Sequence, residues 1–233
     1  TVTNTGKLNA GKIVGNNGVF VNRGVIDALE TPQDAASIML AGSGVVETDA
    51  LITIGEGGEF VNEGDVKKSI LVAGGTLTLT NVDGKASTAQ DVTVNSGTMY
   101  VTGNSTVASL TLNADAVLNV TAGAMVTLTE DDGLNIADGA TIMVTVSTET
   151  LENLAAGQEF TLFSGNVSDD TVTKATIIFT DNNEATLDKK ADISKGSTSG
   201  SIKVEGTVAV PEPTTATLSL LALCGLAMRR RRK

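Results

Sequence analysis

The sequence predicts an all-β protein: a parallel β-helix (a solenoid) with a C-terminal antiparallel β cap and, after it, a short C-terminal hydrophobic helix. Three observations favour this fold class. Short aliphatic segments recur at spacings of 18 to 40 residues, apolar and polar residues alternate within them, and β-branched residues are punctuated by glycine and asparagine. A β-sandwich is the alternative, because alternation alone does not separate the two folds.

The longest repeat lies in the first third of the chain. The segment 15–24 (GNNGVFVNRG) recurs forty residues later as 55–64 (GEGGEFVNEG), with Phe20 in register with Phe60. Forty residues would be two coils of a solenoid. Asn22 and Asn62 fall at the same phase, so they form either an internal asparagine ladder at a turn or two exposed turns.

Three further similarities suggest the length of one coil. The segment 37–42 (SIMLAG) is similar to 69–74 (SILVAG). VTVN at 92–95 recurs eighteen residues later as LTLN at 110–113, and LNI at 134–136 follows twenty-four residues after that. Units of about 20 residues suit one coil that hydrogen-bonds to the next at about 4.8 Å.

Alternation is cleanest between Leu110 and Leu128, where every even-numbered position is apolar, and it returns from Leu134 to Val146. A period of two predicts strands with one buried face and one solvated face. The expected inward residues are Leu110, Leu112, Ala114, Ala116, Leu118, Val120, Ala122, Ala124, Val126, Leu128, Leu134, Ile136, Ala140, Ile142, Val144 and Val146.

These patterns divide the chain into solenoid repeats over 1–148, a β cap region over 149–209 and a C-terminal segment over 210–233. Polar turns separate aliphatic segments in the second part, which predicts antiparallel strands that close the stack. Two brief helices are predicted, at Thr31–Ala36 and at Glu149–Ala156, the second stopped by Gly157. The segment 157–165 (GQEFTLFSG) is similar to segments near the end of autotransporter passenger β-helices.

Several catalytic classes lack the residues that they need. The absence of histidine excludes Ser-His-Asp and Cys-His catalysis and most zinc sites. Carboxylates are paired at Glu130-Asp131-Asp132 and at Asp169-Asp170, and a polysaccharide lyase or hydrolase on a β-helix would need such acids facing each other. Because adjacent acids before a glycine predict a turn, a non-enzymatic role is expected and the lyase or hydrolase is the alternative.

No cofactor is expected. Oxygen ligands that suit Ca²⁺ cluster at Asp181-Asn182-Asn183-Glu184 and at Glu130 to Asp132, which leaves a Ca²⁺ site as an alternative. Their spacing matches no EF-hand loop, so plain turns are the preferred interpretation.

Without residues 211–233, which carry five basic residues and Glu212, the net charge of the chain is −15. This charge argues against nucleic acid or anionic lipid as a partner.

The C-terminal segment has three parts in a fixed order. Pro211, Glu212 and Pro213 form a stiff extended tripeptide, an uncharged stretch follows over 214–228, and five cations end the sequence. An uncharged segment closed by basic residues is a stop-transfer pattern. Its strongly apolar part, 216–228, is shorter than the ~20 residues that span a bilayer, so it predicts a processed signal, with a permanent anchor as the alternative. The membrane segment contains Thr214, Leu218, Leu220, Leu221, Leu223, Leu226 and Met228, and the cytoplasmic basic anchor is Arg229, Arg230, Arg231, Arg232 and Lys233.

These three parts resemble the PEP-CTERM sorting signal, which has a Pro-Glu-Pro motif, a short hydrophobic helix and an arginine-rich end. The resemblance covers about a tenth of the chain. It implies recognition and cleavage by an exosortase, transient inner-membrane anchoring, a Gram-negative-type envelope and a link to exopolysaccharide or biofilm matrix. A sorting signal also implies export, so a signal peptide is expected upstream of Thr1. The expected function is that of an exported surface or matrix protein, structural or adhesin-like, with exopolysaccharide or other surface proteins as further partners.

Overall fold

The computed structural model describes residues 52–56, 59–66, 69–81, 84–165, 167, 171–183 and 187–210, together with the backbone of six short strands ahead of residue 52. A short helix, α1 (Thr148–Glu152), lies between β17 and β18, and a 3-10 turn (Val172–Lys174) precedes β20. The strands are β1 (Val2–Asn4), β2 (Lys7–Asn9), β3 (Val19–Asn22), β4 (Val25–Ala28), β5 (Ser37–Leu40), β6 (Val45–Val46), β7 (Ile52–Gly55), β8 (Glu59–Asn62), β9 (Asp65–Val66), β10 (Ile70–Leu79), β11 (Ser87–Ala89), β12 (Val92–Val101), β13 (Ser105–Val107), β14 (Leu110–Thr121), β15 (Val126–Leu128), β16 (Leu134–Ile136), β17 (Thr141–Thr145), β18 (Glu159–Thr161), β19 (Phe163–Gly165), β20 (Thr176–Thr180), β21 (Lys189–Lys195) and β22 (Ser201–Ala209).

The chain winds as a parallel β-helix, which confirms the predicted fold class and excludes the sandwich. From residue 52 to residue 165 each coil adds one segment to each of three walls, and equivalent segments pair in parallel; the described strands ahead of residue 52 belong to the second and third walls. The first wall contains residues 52–55, 70–73, 92–94, 110–112 and 134–136. The second contains β1, β3, β5, β8, the later parts of β10, β12 and β14, then β17 and β20. The third contains β2, β4, β6, β9, β11, β13, β15 and β19.

The repeats seen in the sequence mostly mark true structural register. Phe20 pairs with Ile38, which pairs with Phe60, so the forty-residue repeat is two coils as predicted. Val92 pairs with Leu110, and Leu110 pairs with Leu134, so the VTVN, LTLN and LNI segments stack directly.

The similarity between SIMLAG and SILVAG does not mark equivalent positions. Ile38 pairs with Phe60 in the second wall, whereas Ile70 pairs with Ile52 in the first wall. The two segments share a composition because both walls need β-branched and aliphatic inward residues, and not because they occupy the same place in a coil.

Glycine-containing bulges separate the first wall from the second. The pairing of β10 with β12 shifts register between Val72 and Thr76, and Gly74 and Gly97 there have φ of 101° and 89°. A bulge bends a strand and changes which side its residues face. Inward residues accordingly change from even positions before Gly74 to odd positions after it.

The interior is a stack of aliphatic columns. In the second wall one column consists of Phe60, Leu77, Met99, Leu118, Ile142 and Ile177, each no more than 1% exposed. Burying a side chain of this size contributes about 1.5–3 kcal/mol relative to leaving it in water. Because equivalent residues stack between coils, the described part of the core forms without a disulfide bond or large aromatic clusters.

The predicted inward residues are buried with two exceptions. Ala114 and Ala122 are exposed, because each lies where the chain turns between walls. At Ala114, β14 takes two residues to pass a corner that β12 passes in one, so Val94 pairs with Leu112 but Ser96 pairs with Asp115. The alternation of apolar and polar residues continues through this corner, so the sequence pattern does not reveal it.

Asn62 is fully buried, which excludes the interpretation of this residue as an exposed turn. Its side-chain amide donates to the carbonyl oxygen of Thr88 (2.9 Å), and its Oδ1 accepts from the backbone N–H of Gly64 (3.0 Å). The residues paired with it are Leu40 and Leu79, so Asn62 holds an internal turn without an asparagine on either side. The side chain of Asn22 lies outside the described part of the chain.

The C-terminal end of the stack carries the predicted antiparallel strands. β20 pairs in parallel with β17 and antiparallel with β21, and the sheet continues through β22 to β18. The ring centroids of Phe160 on β18 and Phe179 on β20 lie 4.8 Å apart. The parallel pairing continues beyond residue 148, since β19 and β20 still extend the third and second walls.

The predicted helix over 149–156 is shorter than expected. α1 is capped by Ser147, whose hydroxyl accepts from the N–H of Thr150 (3.2 Å), and it ends at Glu152. Gly157 does not end the helix; with φ of 94° it turns the chain into β18, and its N–H donates to Val204 (2.7 Å). The predicted helix at 31–36 lies outside the described residues.

Within the described part of the chain, no helix combines the length and apolar character needed to cross a membrane. The predicted hydrophobic helix of the C-terminal segment lies in 211–233, outside the described residues.

Candidate binding face

Five successive segments of the second wall present outward rows that are rich in threonine. The segments are TLTLT (76–80), TMYVT (98–102), VLNVT (117–121), TIMVT (141–145) and TIIFT (176–180). The second and fourth residues of each segment are buried in the core. The first, third and fifth residues therefore lie on the outward side of the strands, because successive side chains of a strand point to opposite sides. Two of these fifteen, Asn119 and Thr180, are nonetheless buried, at 6% and 3% exposure.

Strand register aligns these outward residues into three columns. Ten of the fifteen are threonine, whereas threonine makes up 33 of the 233 residues of the chain, so composition alone does not produce the pattern. We call this surface the threonine face. Its columns are Thr76, Thr98, Val117, Thr141 and Thr176; then Thr78, Tyr100, Asn119, Met143 and Ile178; then Thr80, Thr102, Thr121, Thr145 and Thr180.

The central column carries the bulkier side chains. Tyr100, the only tyrosine of the chain, is 38% exposed. It lies between Thr98 and Thr102 on its own strand, and its neighbours across the strands are Thr78 and Asn119. An exposed aromatic side chain therefore lies near the middle of the threonine face.

The threonine face carries no charged residue, although the chain has a net charge of −11. Charged residues begin at its two ends. Glu59 pairs with Thr76 on the coil before it, and Lys190 pairs with Ile178 on the strand after it. The face is thus an uncharged area on an acidic protein, with polar hydroxyls and apolar methyl groups presented side by side.

Two side chains of the threonine face form hydrogen bonds with neighbouring residues. The Thr145 hydroxyl donates to Oδ1 of Asn119 on the preceding coil (2.7 Å), and the Thr180 hydroxyl accepts from the N–H of Asn182 (3.1 Å). A β-branched side chain has few χ1 rotamers, so its hydroxyl loses little conformational freedom on binding. The face is therefore a preorganised surface.

No protein-family model matches this chain, and neither the curated proteins nor the solved structures contain a match. The role of the threonine face is therefore inferred from its side chains and their arrangement.

Polar side chains on the other walls mainly join one coil to the next. The carboxylate of Asp91 accepts from the hydroxyls of Ser69 (3.1 Å) and Ser109 (2.7 Å), one on each neighbouring coil. In the third wall Thr88 donates to Asp65 (2.9 Å). These carboxylates are occupied by lateral hydrogen bonds, which suits a structural role.

The predicted acidic clusters do not assemble a catalytic pair among the described residues. Glu130, Asp131 and Asp132 are all exposed and form one turn, in which Asp132 has a φ of 53°. Asp169 and Asp170 lie outside the described residues. Where side chains are described, no three acidic or cysteine groups come together as they would around a metal ion. Asp181, Asn182 and Asn183 form a turn after β20, and Glu184 lies outside the described residues.

A cavity of about 310 Å³ lies beside β18 and contains one acidic side chain. The Glu159 carboxylate accepts hydrogen bonds from the hydroxyl (2.5 Å) and the backbone N–H (3.0 Å) of Ser197. These bonds, with a smaller contribution from Lys203, lower the pKa of Glu159. An ionised carboxylate without a second acid is not an acid–base pair. The cavity is lined by Asn104, Ala122, Gly123, Met125, Glu159, Phe160, Thr161 and Leu162.

The residues of the predicted sorting signal lie outside the described part of the chain. They comprise Pro211 to Pro213, the apolar segment and the basic end at Arg229 to Lys233. Their assignment stays a prediction from sequence.

Sequence reasoning missed the threonine face, although a signal for it was present. Four of the five segments follow the pattern T-x-x-x-T. The first residues of successive segments are 22, 19, 24 and 35 residues apart, so a search for one fixed period does not connect them. Only the register of the strands aligns them.

Proposed function

We propose that this protein is an exported structural or adhesin-like component of the cell surface or extracellular matrix. The observation that carries its binding role is the threonine face, a rigid and uncharged surface on an otherwise acidic stack. Solenoids commonly bind along such extended surfaces, because neighbouring repeats present equivalent side chains at regular spacing.

The export proposal rests on the C-terminal sequence. In it, the apolar segment halts in the inner membrane, the basic residues Arg229 to Lys233 stay on the cytoplasmic side, and Pro211-Glu212-Pro213 stays exposed for an exosortase. Cleavage there would release the ectodomain to the envelope or matrix of a Gram-negative-type bacterium. Membrane anchoring is transient in this proposal, since the apolar part is shorter than a spanning helix.

We also propose that the role is not enzymatic. A glycoside hydrolase needs two carboxylates facing each other across about 5 to 9.5 Å. Among the described residues, the acidic cluster at 130–132 lies in one exposed turn. Glu159 is the one acidic residue among those that line the cavity beside β18. A polysaccharide lyase or hydrolase stays the competing hypothesis.

The sorting proposal is tested by following the protein in a cell that makes an exosortase. Replacing Arg229 to Arg232 with glutamate, or deleting Pro211 to Pro213, should leave an unprocessed protein that does not reach the surface. The control variant carries Lys174→Glu and Lys190→Glu, which also exchange exposed cations for anions. Both residues lie in the cap region, so this variant should be sorted normally. Mass spectrometry of the mature C-terminus locates the cleavage. Normal surface delivery and normal size of the arginine variant would refute the proposal.

A further inference from the structure

We propose that the threonine face binds an uncharged polysaccharide chain, which lies along the stack axis between the two outer threonine columns. The inference rests on the surface role proposed above and names the ligand class. The chain would cross the five strands above the central column, where Tyr100 is exposed.

The dimensions of the threonine face favour a linear ligand over a protein surface. Five strands at ~4.8 Å spacing give a length of ~19 Å, and four residue steps along a strand give a width of ~13 Å. The resulting area, on the order of 250 Å², is well below the ~800 Å² that each partner buries in a stable protein–protein interface. A single extended chain can cross all five strands and contact the side chains that are accessible, which excludes the buried Asn119 and Thr180, whereas a globular partner would need further contacts elsewhere.

Charge further narrows the ligand class. The threonine face has no cation to pair with a carboxylate, sulfate or phosphate, and the chain has a net charge of −11. An anionic polymer would therefore approach against an unfavourable potential without a compensating ion pair. A neutral polymer carries no such penalty.

The side chains of the face match the chemistry of a neutral sugar. Threonine hydroxyls both donate and accept hydrogen bonds, as sugar hydroxyls do, and the threonine methyl groups can pack against sugar C–H groups. The Tyr100 ring offers an apolar face with a polar end. Because the threonine side chains have few rotamers, the entropy lost on binding is small.

The binding test uses the purified full chain in non-denaturing gels that contain a dissolved polysaccharide. Hydroxyethylcellulose, dextran and a soluble mixed-linkage glucan serve as neutral probes, and alginate serves as the anionic comparison. We expect retardation that increases with the concentration of at least one neutral glucan, and no retardation by alginate beyond that of a non-binding marker protein.

Two substitutions on the face and one elsewhere locate the binding surface. Tyr100→Ala removes the exposed ring, and Thr141→Glu places a charge in an outer column. Each should weaken retardation about tenfold, the effect of losing one good aromatic or desolvated polar contact. Thr106→Glu places the same charge on the outward side of the third wall and should bind as the unsubstituted protein does. Thermal unfolding verifies that all three variants fold.

Three outcomes would overturn the inference. These are no retardation by any neutral probe, equal retardation by alginate, and an equal loss of binding in Thr106→Glu. Inhibition of ice-crystal growth that Thr141→Glu abolishes, without polysaccharide binding, would assign the face to ice instead. Surface delivery is measured separately, so a sorted protein that does not bind sugar refutes this inference alone.

Discussion

The hydroxyl of Ser87 donates a 3.0 Å hydrogen bond to the hydroxyl of Ser105, one coil further along the third wall. Both side chains are buried, at 0% and 1% exposure. Ser105 in turn donates to the carbonyl oxygen of Gly103 (3.1 Å). The next residue in this column is Val126, so two serines form a short polar ladder beside apolar columns of the interior.

This ladder predicts that single and double substitutions are not additive. Ser105→Ala leaves the buried Ser87 hydroxyl without its acceptor, which costs about 1–3 kcal/mol. Ser87→Ala costs less, because Ser105 keeps its bond to Gly103. Replacing both serines with alanine should cost less than the sum of the two single substitutions. Denaturant unfolding of all four proteins measures the coupling, and strict additivity would refute the ladder.

The stacked core predicts that one strand contains positions of very different sensitivity. Leu118 is 0% exposed in the second wall, and its removal by Leu118→Ala should lower the free energy of unfolding by about 2–5 kcal/mol. Val117, its outward neighbour on the same strand, is the matched control, and Val117→Ala should cost under about 1 kcal/mol. Chemical denaturation compares the two. Equal costs would mean that residue 118 does not face a packed interior.

The corner glycines predict a difference between two positions with nearly the same φ angle. Gly97 and Gly123 have φ of 89° and 90°, so alanine is strained at both. A Cβ at Gly97 would also collide with the carbonyl oxygen of Gly75 on the preceding coil, whereas a Cβ at Gly123 meets nothing within 4 Å. Gly97→Ala should therefore destabilise more than Gly123→Ala, by at least ~1 kcal/mol. Thermal and denaturant unfolding test the order, which would be reversed or absent if the coils were further apart.

Hydrogen bonding of Glu159 predicts a loss of stability in acid. The hydroxyl of Ser197 and then its backbone N–H lower the pKa of Glu159, with a smaller effect from Lys203. A carboxyl whose pKa is lower in the folded state stabilises the fold above its unfolded pKa, and this contribution is lost as the pH falls from about 4.5 through the folded value. Glu159→Gln should therefore flatten the fall in stability below about pH 4.5.

The matched control for this pH profile is Glu130→Gln. It removes one negative charge from an exposed turn, so it measures the effect of the change in net charge alone. Unfolding midpoints measured between pH 3 and pH 7 compare the three proteins. Parallel profiles for Glu159→Gln and the unsubstituted protein would show that the Ser197 bonds do not contribute.

The repeating interior was predictable from sequence because inward residues obey a local rule. Phe60 and Leu118 alternate with outward neighbours and recur once a coil, so period and phase are both visible. Corners are less visible, because the chain can pass them with one residue or two, as at Ala114. The shortness of α1 follows from tertiary contacts: after Glu152 the chain has to return to the stack, where Leu154 is buried.

The threonine face was not predictable in the same way. Threonine at an outward position is common in any strand, since it has a high β propensity. Thr98 and Thr141 are recognised as members of one column only when Val117 is placed between them. That placement requires the register of β12, β14 and β17. A surface formed by residues distant in sequence depends on how many residues each corner uses, which composition does not encode.

The parallel coils make the molecule modular. Inserting one complete turn of the winding would lengthen the body by ~4.8 Å and add one rung to every column of the second wall without changing the interior of its neighbours. The length of the molecule and the number of ligand contacts would then increase together, and the affinity of multivalent binding can rise steeply with each added contact. Gain or loss of whole units could therefore tune how firmly such a protein holds a polymer.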